Sequence, residues 1–327
     1  MDRVTSFSTY NSVIGNFMRA ESRQNEANVQ ISSGKIAADL KGFGVAAEAL
    51  TAARTLKTRV EGFADSAARL SAKLDSQDQA LNQLGDAGQS ARGAIANAIA
   101  SGRGDGLMTA LSSYFGQATS AMNTKYNGRY LFAGGKVDTP PVSATSMGDL
   151  VTSSPVPPAA PWNPTPWTPD PASTFNNVFQ NDQQPATSRL DESTTVTTGV
   201  LASDAATGLF DAFAKVQAFD QTSGEPFTGK LSQTQIDFLT GMLGSFDTAN
   251  AGVTDTTAAN GLMQARVDRA KTTQEDRKTS LDVMMGDITD VDMAEALSRL
   301  SQAQVALQAS AHIFSSLQDS SLLNYLK

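Results

Sequence analysis

The stretch from Asp290 to Lys327 constrains this chain more than any other. Met293, Leu300, Leu307 and Phe314 recur every seven residues, and Ala296, Leu297, Ala303, Ala311 and Leu317 flank that column at three- and four-residue offsets. Such spacing puts all of them on one helical face. Held for more than three heptads, it predicts a coiled-coil-like seam along a helix of roughly 55 Å. Leu322, Leu323, Tyr325 and Leu326 extend the apolar character to the end of the stretch. One buried face on a single helix does not offset the entropy of ordering its backbone. The stretch therefore needs a partner along its whole length.

A weaker counterpart lies near the other end. From Val4 to about Ser33, Tyr10, Ile14, Phe17 and Ile31 keep a three-to-four spacing, with Glu21, Gln24 and Asn28 at the in-between seam positions. Two unpartnered stripes in one chain suggest each other. Ser32-Ser33-Gly34-Lys35 reads as a helix end with glycine just past the last turn. Gly42 and Gly44 predict a flexible link after it.

Between the ends the longest regular pattern runs from Ala49 to Ala98, with Leu56, Val60, Phe63, Leu70, Leu74, Leu81, Leu84 and Ile95 in register and Gln77 and Gly88 as exceptions. A second helix is expected from about Leu107 to Tyr126, after the turn Gly102–Gly106, and a short strand and turn at Tyr130–Gly135. Composition then changes. Eleven of the 12 prolines fall between Pro140 and Pro185 together with Trp162 and Trp167, and from Pro140 to Ser188 the only charges are Asp149, Asp170 and Asp182. Proline at that density argues against helix and central strand and predicts a surface insertion that adds little to the helical core. Ser193 to Val200 is a strand candidate. Helical periodicity returns with Leu209, Phe213 and Val216, and Ser232-Gln233-Thr234-Gln235 is a capping box opening a further long helix.

The chemistry is sparse. Net charge is −8, which disfavours nucleic acid and anionic lipid as partners, and no apolar run is long enough to insert in a membrane. There is no cysteine, and His312 is the single histidine, so thiol chemistry and paired-histidine mechanisms are excluded. Asp287, Asp290 and Asp292 lack the glycine and terminal glutamate of a calcium loop, and Asp290 reads instead as a helix N-cap with Asp292 in the first turn. Gly102-Arg103-Gly104-Asp105-Gly106 lacks the Lys-Ser/Thr of a phosphate loop and reads as a plain turn. No catalytic set, cofactor site or metal site emerges. Trp162 and Trp167 leave open a sugar-stacking platform.

The end segments resemble the flagellin superfamily, the axial proteins of the bacterial flagellum. The resemblance is carried by Gln30-Ile31-Ser32-Ser33-Gly34-Lys35, by Gln308-Ala309-Ser310 and by Ser321-Leu322-Leu323-Asn324-Tyr325-Leu326. Within it, Asn127-Gly128-Arg129-Tyr130-Leu131-Phe132-Ala133-Gly134-Gly135, followed by Asp138-Thr139-Pro140-Pro141, is more similar to the hook–filament junction branch than to filament subunits. A departure is the single Asp39 after the Ser-Gly-Lys turn, where members commonly carry a neighbouring acidic pair.

The expected architecture is mainly α. Long terminal helices pair in a coiled-coil or helical rod, and a small β or irregular Pro-rich middle domain interrupts the chain. The segments are 1–44 (assembly helix and link), 45–138 (first rod part), 139–200 (middle domain), 201–289 (second rod part) and 290–327 (assembly helix). The expected assembly interface comprises Tyr10, Ile14, Phe17, Ile31, Met293, Leu297, Leu300, Leu307, Ala311, Phe314, Leu317, Leu322, Leu323, Tyr325 and Leu326. The resemblance implies a self-assembling, non-enzymatic protein of the extracellular flagellum that is exported without a cleaved signal peptide. Its partners would be further copies of itself in a ring or helical array, a neighbouring hook-associated protein, flagellin, the export apparatus and a secretion chaperone. Filament flagellin and a glycan-binding surface homologue are the alternatives. Because neither terminal stripe supports its own ordering, hydrogen exchange on the unassembled protein is expected to be fast in 1–33 and 290–327 and slow in 49–98. Strong protection of both ends in a verified monomer contradicts that expectation.

Overall fold

The computed structural model describes residues 2–153 and 178–323, with side chains for 11–151, 178–221 and 223–316. Trp162, Trp167, Tyr325 and Leu326, and the side chains of Tyr10, Leu317, Leu322 and Leu323, thus lie outside what is described here. The helices are α1 (Asp2–Ser33), α2 (Ala46–Ser101), α3 (Leu107–Met122), α4 (Met147–Ser153), α5 (Ala202–Thr222), α6 (Gln233–Thr289) and α7 (Met293–Leu323). A 3₁₀ turn (Leu40–Phe43) and two small antiparallel hairpins complete the described elements: β1 (Lys125–Tyr126) with β2 (Arg129–Tyr130), and β3 (Thr187–Arg189) with β4 (Thr195–Thr197). This is the mainly α architecture the periodicities predict. The chain divides into one unit of residues 1–61 and 275–327 and another of residues 62–274, and α2 and α6 contribute to both.

The second unit holds the large core. Leu81, Leu84 and Ile95 of α2, Leu111 and Phe115 of α3, Leu209, Phe210 and Phe213 of α5, and Leu239 and Phe246 of α6 are fully buried in one cluster. Phenylalanine rings knit it together: Phe115 lies 5.1 Å from Phe210 and 5.7 Å from Phe213, and Phe213 meets Phe246 edge-on at 5.3 Å. Gly88, an exception in the apolar pattern of α2, has a packing reason. A Cβ there would fall 2.9 Å from Leu209 Cδ1 and 2.1 Å from Asn250 Oδ1. The predicted capping box is present, with the Ser232 amide donating to Gln235 Oε1 (2.8 Å) and the Gln235 amide to Ser232 Oγ (3.3 Å). The turn Gly102–Gly106 is held in place. Gly104 N donates to Gly229 O (2.9 Å), Leu231 N donates to Gly102 O (2.9 Å), and Asp105 accepts from Gly229 N (2.8 Å).

Two expectations change. Helix α3 ends at Met122 rather than near Tyr126, because Asn123 turns its side chain to the Val142 backbone, donating to its carbonyl (2.9 Å) and accepting from its amide (3.0 Å). Asn127 and Gly128, at φ 49° and 79°, then make the tight hairpin turn of β1–β2. The borders of the proline-rich segment are not surface. Val142, Ala144, Met147, Leu150, Val178 and Phe179 are buried in the main core, and Phe179 stacks on Phe210 at 5.4 Å. A short helix, α4, even forms there, in the proline-free interval between Pro141 and Pro155. Finally, Asp182 fastens the far border to the Gly134-Gly135 turn. It accepts from the amides of Gly135 (2.9 Å) and Gln184 (3.0 Å), and these bonds hold its carboxyl below the usual carboxylate range. Only glycine fits at 134, where φ is +65° and a Cβ would sit 2.2 Å from that carboxylate.

It follows that Leu150→Ala and Phe179→Ala should each destabilise the protein by about 2–5 kcal/mol in urea unfolding. A loss under 0.5 kcal/mol from both would return the segment to the surface.

Candidate assembly interface

The first unit is built on the pairing of α1 with α7, as the two end stripes predict. The chemistry of its seam differs from the prediction. Among the described side chains its buried positions are small or polar: Ala20, Ala27 and Gln30 on α1, and Ala296 and Ala303 on α7. The alanines are seven residues apart on each helix, so two backbones can close on a narrow stripe. Of the large side chains expected there, Ile14, Phe17, Ile31, Leu300, Leu307 and Phe314 are half-buried. Met293 is 44% exposed, Leu297 53% exposed, and Ala311 also faces outward. Glu21 and Asn28, read as seam positions, are exposed, while Gln24 is half-buried. Along α1 the buried alanines stand one residue before Glu21 and Asn28, while Ile14, Phe17, Gln24 and Ile31 stay half-buried beside them. The seven-residue interval between Ala20 and Ala27 was the available signal, hidden because alanine contrasts little with its neighbours.

Apolar side chains also point away from the seam. Met18 is 63% exposed, Val29 51%, Val305 63% and Ile313 52%. Two helices bury one stripe each, and here both carry apolar surface beyond it. His312 is exposed on α7.

A clasp closes the pair where both helices meet their links. Helix α1 ends at Ser33, Gly34 turns the chain at φ +68°, and its amide donates to Gln30 O (2.9 Å). The next residues form an isolated antiparallel bridge with the link between α6 and α7, Ile36 N donating to Thr289 O (2.8 Å) and Val291 N to Gly34 O (3.0 Å). Lys35 Nζ spans the bridge to Asp290 Oδ1 (2.5 Å) and Thr289 Oγ1 (3.1 Å), and buried Gln30 donates to Ile36 O (2.9 Å). Asp290 is therefore not the N-cap of α7. That position belongs to Asp292, whose carboxylate accepts from the amides of Ala294 (2.8 Å) and Glu295 (3.2 Å). Lys35, with help from Thr289, holds the Asp290 carboxyl below its ordinary value. The link beyond is a 3₁₀ turn over Leu40–Phe43 rather than a loose tether. Gly42 serves close approach, since a Cβ there would meet Ala37 Cβ at 2.2 Å.

Beneath the link lies an open cleft of about 880 Å³ bordered by Lys35, Asp39, Arg54, Lys57, Glu61 and Asp282. Its charges are largely spent on one another: Lys57 pairs with Asp282 (2.5 Å), and Lys278 with Glu61 (3.3 Å). Among the described residues no group of histidine, aspartate and glutamate is placed to hold a metal, and no helix is long and apolar enough to cross a membrane.

These features define a class: a mainly α protein whose chain ends close on each other through an alanine seam and a lysine–aspartate clasp. Residues 243–326 match the family model of the bacterial flagellin C-terminal helical region. The fold is that of a structure described as a flagellar hook-associated protein from Vibrio parahaemolyticus, at 17% identity and a TM-score of 0.57, covering 75% of this chain and 97% of that one. It is also that of Bacillus cereus FlgL, at 13% identity and a TM-score of 0.53, covering 72% and 99%. No curated protein sequence matches. The resemblance to the flagellin superfamily read from the chain ends is thus met in the C-terminal helical region by the family model and in the fold by these two structures.

The clasp has a pH signature. A carboxyl held low in the folded chain stabilises it above the usual carboxylate value, near 3.9, and that stabilisation is lost as pH falls through the folded value. Asp290→Asn and Lys35→Met should each speed amide exchange at Ile36 and Val291 at pH 6. For Asp290→Asn the difference from wild type should vanish toward pH 2. Unchanged exchange at pH 6 would mean that the backbone bridge holds without the ion pair.

Proposed function

We propose that this chain is a structural axial protein of the bacterial flagellum, assembling through its terminal helices to join hook to filament. One observation carries the reading: a stretch matching the flagellin C-terminal helical region pairs with the N-terminal helix, yet both present more large apolar surface than the pair covers. Such surface is stabilised by further helices of the same kind. The interface is the set from Tyr10 to Leu326 named above, now with Ala20, Ala27, Ala296 and Ala303 at its centre. The partners are further copies, neighbouring hook-associated protein and flagellin, and on the way out the export apparatus and a secretion chaperone. The protein acts extracellularly and is not an enzyme.

The junction role is supported by the Asn127–Pro141 stretch and by the likeness of fold to a hook-associated protein. In the structure that stretch is a core element, with Leu131, Phe132 and Ala133 buried and Gly134 fitted to Asp182. A junction subunit meets unlike neighbours on its two sides, so its axial contacts do not propagate. Loss of the gene should leave hooks on the cell while unpolymerised flagellin appears in the medium, and the pure protein should not grow filaments. Leu307→Asp should keep near-normal helicity and lose assembly. Micrometre filaments from the pure, seeded protein would overturn the junction role in favour of a filament subunit. Normal assembly of Leu307→Asp would overturn the interface.

A further inference from the structure

The residues 62–274 contain two apolar clusters rather than one. The large cluster begins on α2 at Ala80 and on α6 reaches Val253. The small one joins Ala67, Leu70 and Leu74 of α2, Val267 of α6, and Leu190 and Val196 of the β3–β4 hairpin, with Met263 and Ala270 at its margin. Between them lies a buried polar layer. Gln77 of α2 is fully buried, and neither its Oε1 nor its Nε2 has a hydrogen-bond partner among the described residues. Asn260 of α6, 3% exposed, donates to Leu74 O (3.1 Å) while its Oδ1 has no such partner.

Apolar cohesion is carried by contiguous contact between apolar side chains, and it is interrupted where a layer is polar. Unsatisfied amide groups held out of water add a cost that is relieved when the layer opens to solvent. The clusters also differ in what they can lose. The large one contains interlocked phenylalanine rings, whereas the small one contains no aromatic side chain, and two of the three buried residues that cover α2 there come from a two-stranded hairpin. The hairpin is tied down locally: Asp191 accepts from the amides of Ser193 (2.8 Å) and Thr194 (2.7 Å), which hold its carboxyl at about 2, and Thr198 N donates to Ala186 O (2.8 Å). Those bonds keep it a hairpin without adding cohesion to the cluster.

We infer that the Gln77–Asn260 layer is a built-in break, so that residues 62–76, 187–197 and 260–274 open to solvent together as one cooperative segment while the phenylalanine-rich core stays closed.

Native-state hydrogen exchange of the full chain across a low urea series tests this. The amides of those three stretches should converge on one opening reaction and exchange at least about 10-fold faster than those of 81–98 and 205–219. Gln77→Leu makes the apolar contact continuous and should slow exchange of all three stretches by about 10-fold or more, leaving 81–98 within about 3-fold. Val196→Ala provides a variant that does not disturb the layer. It should speed exchange of the three stretches together and leave the large cluster unmoved. Exchange of both clusters through a single common opening in wild type overturns the inference. So does a Gln77→Leu chain that folds with all three stretches unchanged, or a Val196→Ala effect confined to the hairpin.

Discussion

The antiparallel association of α2 with α6 is the interaction on which the second unit depends. Polar contacts recur along its length, from Ser71 Oγ donating to Asp268 (3.2 Å), through Asn260 with Leu74 O, to Arg92 with Asp247 (2.5 Å). Between these points the apolar positions of both helices face inward. α3 and α5, the borders of the proline-rich segment and the β3–β4 hairpin fill the space left beside the pair. Where a third helix must come close, the side chain is removed altogether, as at Gly88. Helices of 56 and 57 residues gain little from intrinsic propensity alone. Their stability comes from that shared face.

Periodicity made most of this legible. The apolar spacing from Ala49 to Ala98, the capping box at Ser232, the glycine after Ser33 and the pairing of the chain ends all follow from rules that act within a few residues or along one helix face. What escaped is of another kind. Ala20 and Ala27 leave little trace in the pattern of α1, because alanine scarcely differs from its neighbours in hydrophobicity. The N-cap of α7 is ambiguous in sequence because Asp290 and Asp292 are both good N-cap residues, and the choice between them is made by Lys35, far away in sequence. Proline density averaged over the whole proline-rich segment predicts surface even at its borders. Val142, Met147, Leu150 and Phe179 lie at its edges, and there they enter the core.

The two units spend their hydrophobic residues differently. Around Phe115, Phe210, Phe213 and Phe246, large rings are wholly enclosed, and the core is closed within one chain. Along α1 and α7 the enclosed apolar residues are alanines, each with little surface to bury, while leucine, isoleucine, valine and methionine stand half or mostly outside. Burial is roughly proportional to area, so an alanine seam holds weakly and the uncovered large side chains keep most of their contribution in reserve. The Lys35–Asp290 pair does not make up the difference, since both side chains are about half exposed and an ion pair in that setting adds little.

The clasp and the seam thus solve separate problems. Hydrogen bonds from Ile36 and Val291 and the Lys35 bridge fix where α1 stops and α7 starts, so the two helices are held in register at one end. The alanines then let them lie close without consuming the larger residues on either flank. A seam of leucines would have buried those residues within the chain and left less apolar surface for any neighbour. Register set by polar contacts, and closeness set by small side chains, leaves the large apolar groups available to whatever packs next. That is the physical content of the assembly reading, and it rests on the exposure of Met18, Leu297, Val305 and Ile313 as much as on the buried residues between the helices.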